Sequence, residues 1–326
     1  MSGYEKLNGT PDVHPHKDDE IDLRELFLTL WAGKWLILAV TLVFAIAGIA
    51  YALQKPNIYQ SSVLLAPANE EGSLNGISGQ LGGLASLAGI NIGSGSSNQT
   101  VIAKEVLQSR AFLADFVKRH ELEVPLLGTS GWNEASKSWI FNREVYDPDT
   151  QQWLADQSGK TFKPTDWELV NALKHEHISV SDNKDSGMIT LKVRSMSPVA
   201  SQQWAEWLVA DINEYMRRKD VDESNARISY LEEKLNDTNV AGMQQVFYQL
   251  IESETRTVML ANAQKEYVFE TVDPAVIPEE KSEPKRSLIV ALSVMIGAIL
   301  GVAVIFVCSF VRSGRRKTPE KTNEPE

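Results

Sequence analysis

The 326-residue sequence lacks three features that would place it in common functional classes. It has a single cysteine, Cys308, so no internal disulfide can form and the chain must fold through its apolar core. It has no basic excess, because its net charge is −11, and this argues against nucleic-acid binding. Its hydrophobic content of 43% also excludes a chain that is disordered throughout.

Charge is absent from two long apolar runs, residues 35–53 and 287–311. The first run would span about 29 Å as a helix, close to the ~30 Å of a bilayer core, and the second could cross with some tilt. A buried soluble helix of this length rarely lacks charge entirely. A cleaved signal peptide would follow a short basic start, whereas the first run follows a long acidic one. We therefore predict two uncleaved transmembrane helices.

Basic residues close to the second run predict how the chain crosses the membrane. The sequence after that run is basic and indicates a cytoplasmic end: Arg312, Arg315, Arg316, Lys317 and Lys321. Two spans then place both termini in the cytoplasm. The predicted division is a cytoplasmic tail at 1–34, a transmembrane helix at 35–53, a periplasmic domain at 54–286, a second transmembrane helix at 287–311 and a cytoplasmic tail at 312–326.

The second run carries small residues at four-residue spacing, namely Ser293, Gly297 and Gly301. This spacing puts them on one helix face, where they allow another helix to approach closely. Glycine and alanine are also common in membrane helices generally. We predict a helix-packing face here, with the first run, a neighbouring subunit or another protein as its partner.

The segment between the runs mixes strand and helix patterns, which predicts an α/β (α+β) fold. Strands are predicted at 58–65, 177–180, 188–193 and 267–272, and a helix at 98–120. Residues 69–97 are glycine-rich without a Gly-Lys-Ser/Thr sequence, so we interpret them as a mobile loop in which 81–87 could form a short helix. A tryptophan-rich region covers 129–170. Its tryptophans could stack on sugars, but packing in a small core is the expected role.

Two long helices are predicted at about 198–237 and 240–265. Ser197-Pro198 provides a cap residue followed by proline at the first helical position. A polar turn at 236–239 suggests an antiparallel helical hairpin. One hairpin cannot bury the apolar stripes of both helices, so we expect homo-oligomerisation through coiled-coil-like contacts.

Prolines punctuate the stretch before the second run, at Pro274, Pro278 and Pro284. Because proline fixes φ and favours extended chain, we predict a stiff spacer there.

No motif for catalysis, metal binding or nucleotide binding is found, so we expect no enzyme activity and no cofactor. His175 and His177 would share a strand face, but they have no further ligands nearby and are expected to be surface histidines. Acidic pairs such as Glu232-Glu233 and Glu279-Glu280 are expected to be solvated. A glycosidase alternative stays open at this point, because catalytic carboxylates can meet only in the fold.

The order of these features resembles Wzz-type chain length determinants, which are polysaccharide co-polymerases. The resemblance rests on the sequence at 81–89 (LGGLASLAG), the Ser-Pro start at 197–200, the VDPAVIP sequence at 272–278 and the small-residue second run. It implies an inner-membrane homo-oligomer with an α/β base and long helices. It also implies control of O-antigen or related glycan length together with a Wzy-type polymerase, contact with lipid-linked polysaccharide, and no catalysis.

Two other functions remain open beside this one. An adaptor of a polysaccharide exporter is the alternative, and a two-span sensor is a third class. Larger relatives carry a cytoplasmic kinase. Only fifteen residues follow the second run, without a tyrosine or a Walker loop, so we expect neither signalling nor kinase activity.

Overall fold

The computed structural model describes residues 30–31, 33–68, 95–238 and 240–315. The helices are α1 (Lys34–Gln54), α2 (Gly95–Leu107), α3 (Arg110–Arg119), α4 (Glu123–Leu127), α5 (Asp166–Ala172), which continues as a π-helical turn (Leu173–His177), α6 (Pro198–Asp237), α7 (Ala241–Ala263) and α8 (Arg286–Arg315). The strands are β1 (Tyr59–Pro67), β2 (Thr129–Asn133), β3 (Ser138–Phe141), β4 (Tyr146–Asp147), β5 (Gln152–Trp153), β6 (Ile178–Asp182), β7 (Ile189–Ser195) and β8 (Phe269–Asp273).

The chain divides into two compact units. One comprises Met1–Lys55 and Lys285–Glu326, and the other comprises Pro56–Pro284. In the first unit, helices α1 and α8 are long and apolar enough to cross a membrane, and most of their surface is exposed. Both extend slightly beyond the predicted apolar runs.

The second unit is built on a four-stranded antiparallel sheet in the order β6-β7-β1-β8. Strand β7 alternates between buried and half-buried side chains along its whole length, as expected for a sheet with one face against a core. Ile189, Leu191 and Val193 provide the buried set, and they pack with the first part of α6 through Leu208 and Ile212. The mixed fold with long helices, predicted from the sequence, is confirmed.

Helix α6 begins at its predicted cap: the Ser197 Oγ accepts a hydrogen bond from the Ala200 N–H at 3.2 Å. Its 40 residues correspond to about 60 Å. Helix α7 returns antiparallel to it, with the Arg227 Nε 3.0 Å from a Glu254 carboxylate oxygen. Beyond Met216 only Ser224 of α6 is buried, so the far part of this hairpin exposes most of its surface.

The predicted single helix at 98–120 is two helices, α2 and α3. The break lies at Ser109, whose backbone is extended and whose Oγ caps α3 by accepting from the Phe112 N–H at 3.3 Å. A capping serine favours a break in the helix, because its hydroxyl oxygen accepts a hydrogen bond from an otherwise unpaired N–H group at the start of the next helix. Pro125 does not end the helical region, since it lies in the first turn of α4, where a missing N–H costs little. The possible helix at 81–87 lies outside the described residues.

Candidate functional site

The predicted small-residue face of α8 packs against α1 within the same chain. Gly297 lies beside Phe44 and Thr41, and Gly301 lies beside Ile37. A Cβ at Gly297 would be 3.0 Å from the Thr41 Cα, and one at Gly301 would be 3.0 Å from the Ile37 Cα. Both glycines therefore bring the backbones of the two helices into direct contact. In the structure this face therefore contacts the first run, which is one of the three partners that the sequence left open.

Ser293 continues this face one turn earlier, opposite Gly48. Its Oγ donates to the Ile289 carbonyl at 2.9 Å, and the Thr41 Oγ1 similarly donates to the Ile37 carbonyl at 2.8 Å. Both hydroxyls are therefore satisfied within their own helices. That matters in an apolar environment, where an unpaired hydroxyl is costly.

Helix α1 and the residue before it contribute two glycines that the sequence analysis did not single out, Gly48 and Gly33. A Cβ at Gly48 would come 2.3 Å from the Ser293 Oγ, and one at Gly33 would come 2.3 Å from the Ile305 Cδ1. The two glycines are fifteen residues apart and form no visible motif. Only the pairing of the helices shows that they face α8.

The proline-containing stretch before α8, for which the sequence predicts a stiff spacer, belongs to the second unit and makes contacts within it. The Ser61 Oγ donates to the Val276 carbonyl at 2.8 Å, and Ala275 is buried. Farther along, Ile58 and Glu283 form an antiparallel bridge, next to Pro284. Pro274 lines a cavity of about 320 Å³ between α6 and β8, and Pro278 is half-buried.

A buried asparagine holds strand β8 against α6. The Asn213 Oδ1 accepts from the N–H groups of Val268 and Phe269, at 2.8 and 2.9 Å, and its Nδ2 donates to the Phe269 carbonyl at 2.9 Å. About two turns farther along α6, an Asp220 carboxylate oxygen accepts a hydrogen bond from the Tyr267 hydroxyl at 2.8 Å. Helix α6 thus fixes the chain between α7 and β8 through two polar side chains.

The two histidines of the predicted strand lie in the π-helical turn before it, so the shared strand face is wrong. His175 is exposed, as predicted. His177 is half-buried beside Trp204, and its Nδ1 lies 2.7 Å from the Arg194 carbonyl oxygen. Burial lowers the pKa of His177, and the hydrogen bond to Arg194 opposes this only in part. Within the described residues, no group of three or more His, Cys, Asp or Glu residues could hold a metal ion.

Carboxylates with lowered pKa values have structural causes. The Thr150 hydroxyl lowers the pKa of Asp147, and the Ser158 hydroxyl lowers that of Asp156, each within a turn. Glu168 has a lowered pKa because the Thr165 backbone and hydroxyl donate to it in a capping box at the start of α5. The acidic pairs at 232–233 and 279–280 are exposed, as predicted.

The tryptophan-rich region forms two small hairpins, β2–β3 and β4–β5. Trp132 and Trp139 meet edge to face at a centroid distance of 5.2 Å, and Tyr146 and Trp153 meet at 5.3 Å. Tyr146 is buried and the three tryptophans are half-buried, so these ring contacts form two small aromatic clusters. Trp167 is different, because it lies in the first turn of α5 with 61% of its surface exposed.

Comparison with known families identifies two regions of the chain. Residues 19–120 match the family described as "Wzz: Chain length determinant protein". The chain carries a Wzz chain length determinant domain. The match covers α1, β1, α2 and α3, and it confirms the resemblance seen in the sequence. After the Wzz domain, residues 235–310 match the family GNVR, described as "G-rich domain on putative tyrosine kinase". This second match covers α7, β8 and much of α8.

Solved structures of polysaccharide co-polymerases are among those similar to this chain with its Wzz domain. A "full-length bacterial polysaccharide co-polymerase" is 12% identical, with a TM-score of 0.39, over 90% of this chain and 99% of that chain. A fragment of WzzB, a polysaccharide co-polymerase from Salmonella Typhimurium, is 11% identical, with a TM-score of 0.31, over 70% of this chain and 100% of that chain. No curated protein matches the sequence.

Proposed function

We propose that this protein regulates the chain length of O-antigen lipopolysaccharide, or of a related surface polysaccharide, without catalysing a reaction. It would act in the bacterial inner membrane as a homo-oligomer, together with a Wzy-type polymerase. The match of residues 19–120 to the chain length determinant family carries this proposal. The paired helices α1 and α8 support the membrane location, since both are long and apolar enough to span a bilayer.

The decisive experiment compares the polysaccharide ladder of a strain lacking this gene with that of the complemented strain. A length regulator predicts that polymer is still made but that its preferred length is lost, and that the complementing gene restores it. An export adaptor, the alternative function, predicts loss of surface polymer with accumulation inside the cell. An unchanged ladder in the deletion strain would contradict the proposal.

The helical hairpin supports the proposed homo-oligomer. The far part of α6 and much of α7 expose a set of apolar side chains that one chain leaves uncovered: Tyr230, Val240, Met243, Val246, Tyr248, Leu250 and Met259. Met243, Val246 and Leu250 recur at spacings of three and four residues and share one face of α7, and an exposed apolar face of this kind is typical of protein–protein contacts. A groove lined by Tyr230, Leu231 and Leu250 runs between the two helices, beside the ion pair of Arg227 and Glu254.

The oligomer can be tested by mass measurement of the full-length protein in mild detergent. Met243→Glu with Val246→Glu should shift the protein toward smaller assemblies, because each change places a charge on the apolar face. Gln245→Glu with Gln249→Glu is the matched control, since it adds the same charge at exposed polar positions of the same helix. A wild-type protein that remains monomeric at all concentrations would refute homo-oligomerisation.

A further inference from the structure

The region from Thr129 to Glu168 is rich in aromatic residues, but few of their side chains are buried. Seven of the 26 aromatic residues of the chain lie in these 40 residues: Trp132, Trp139, Phe141, Tyr146, Trp153, Phe162 and Trp167. Yet within this stretch, all of which the structure describes, Gly131 and Tyr146 alone are buried. The aromatic rings therefore do more than fill a core.

Ring contacts divide these residues into two groups. The first five form contacting pairs in the hairpins, namely Trp132 with Trp139, Phe141 with Tyr146, and Tyr146 with Trp153. Phe162 and Trp167 stand outside these pairs. They are 42% and 61% exposed, respectively. Tryptophan usually buries most of its surface. Two exposed aromatic rings near each other in the sequence therefore indicate a ligand-binding surface more strongly than one exposed apolar residue does.

Local structure holds these two rings close together along the chain. Phe162 ends a turn in which its N–H donates to the Leu154 carbonyl at 2.7 Å. Trp167 lies between Thr165 and Glu168, whose capping box fixes the first turn of α5. The two residues are five positions apart in the sequence, so their Cα atoms are at most about 18 Å from each other. One oligosaccharide could therefore contact both.

The surroundings of the two rings indicate which ligand they suit. Between residues 156 and 168 no Val, Leu, Ile or Met occurs, and the other side chains are almost all polar. A protein or lipid partner would be met by aliphatic side chains as well, as on the exposed face of the α6–α7 hairpin. Rings separated by hydroxyls and ammonium groups instead suit a sugar, whose ring has apolar C–H faces and a rim of hydroxyls. Lys160 and Lys163 are exposed beside them.

We propose that Phe162 and Trp167 form a binding surface for the sugar rings of a polysaccharide, each aromatic ring stacking against a pyranose face. This inference rests on the proposed function only for the identity of the polymer. The aromatic pair would hold the growing glycan against the second unit. Its binding can be measured whether or not the protein regulates length.

The test is binding of delipidated surface polysaccharide, purified from the producing strain, to the full-length protein in detergent. Phe162→Leu with Trp167→Leu keeps apolar bulk but removes both rings, and it should weaken binding at least tenfold. Phe162→Tyr with Trp167→Tyr is the matched control, because it changes the same two positions but keeps an aromatic ring at each of them. The control should bind within twofold of wild type.

Thermal unfolding checks that each variant is folded, and Trp167→Leu alone replaces the double variant if that variant is unstable. Equal polysaccharide binding by wild type and variant would overturn the proposal, as would the absence of binding by the wild type. Binding to vesicles of phosphatidylglycerol and phosphatidylethanolamine that disappears in the variant would assign the surface to lipid and also overturn it. The ladder of the deletion strain tests length regulation separately, so the two proposals can fail independently.

Discussion

Leucine at positions 297 and 301 should force helices α1 and α8 apart. At Gly297 the added Cβ would lie 2.8 Å from the Phe44 Cβ and 3.0 Å from the Thr41 Cα, and at Gly301 it would lie 3.0 Å from the Ile37 Cα, so the obstacles are backbone atoms or a Cβ attached directly to the backbone. Backbone atoms of a helix cannot turn away as a side chain can. A Cβ at this distance already requires the neighbour to move by a few tenths of an ångström, and leucine adds three more carbons beyond it.

The cost follows from overpacking. Extra carbons in a well-packed contact typically cost about 1–3 kcal/mol at each position. In lipid the two helices have no hydrophobic drive to pair, so their contact relies on close van der Waals approach, which the separation would remove. Gly297→Ala and Gly301→Ala should give smaller effects in the same direction. Insertion should be preserved, because leucine favours the membrane interior.

The matched control is Ala291→Leu with Ala303→Leu. These alanines belong to the same helix, but they are exposed, so added bulk meets no neighbour. We expect the glycine double variant to reach normal membrane levels, to unfold at a lower temperature in detergent and to shift or lose the glycan length distribution. The alanine control should behave as wild type. If the glycine double variant matches the control in melting temperature and ladder at equal levels, the close packing of these glycines is unimportant.

Three further predictions concern other parts of the chain. Asn213→Leu should destabilise the second unit by about 1–3 kcal/mol in denaturant unfolding, because the buried backbone groups of Val268 and Phe269 lose their hydrogen-bond partner. Asn262→Leu is the control and should leave the stability unchanged, because Asn262 lies on an exposed part of α7. Burial lowers the pKa of His177, so the folded state binds fewer protons than the unfolded state. The free energy of unfolding should therefore fall as the pH drops through the ordinary histidine range. His177→Asn should flatten that part of the profile of stability against pH, and an unaltered profile would contradict this cause. A phosphatase fused after Glu326 should be inactive, and periplasmic activity there would reverse the predicted topology.

Local patterns in the sequence were enough to predict most elements of secondary structure. Ile189, Leu191 and Val193 alternate with polar residues, and this period of two is a property of any strand with one buried face. Ser197-Pro198 marks the start of α6 because capping requires only neighbouring residues. The two uncharged runs predict membrane-spanning helices, because placing a charged side chain inside a membrane costs free energy. The break at Ser109 was missed, because the apolar spacing continues on both sides of it and favoured one helix.

Tertiary structure decided which distant residues meet. The sequence showed that Gly297 and Gly301 share a face, but only the pairing of the helices shows that this face meets Ile37 and Thr41. The fold also makes Asn213 the hydrogen-bond partner of the Val268 backbone, 55 residues away along the chain. In the same way, ring contacts leave Trp132, Trp139 and Trp153 half-buried, whereas Trp167 is exposed. The identity of a residue sets what it can contact, whereas burial and partner are properties of the whole fold.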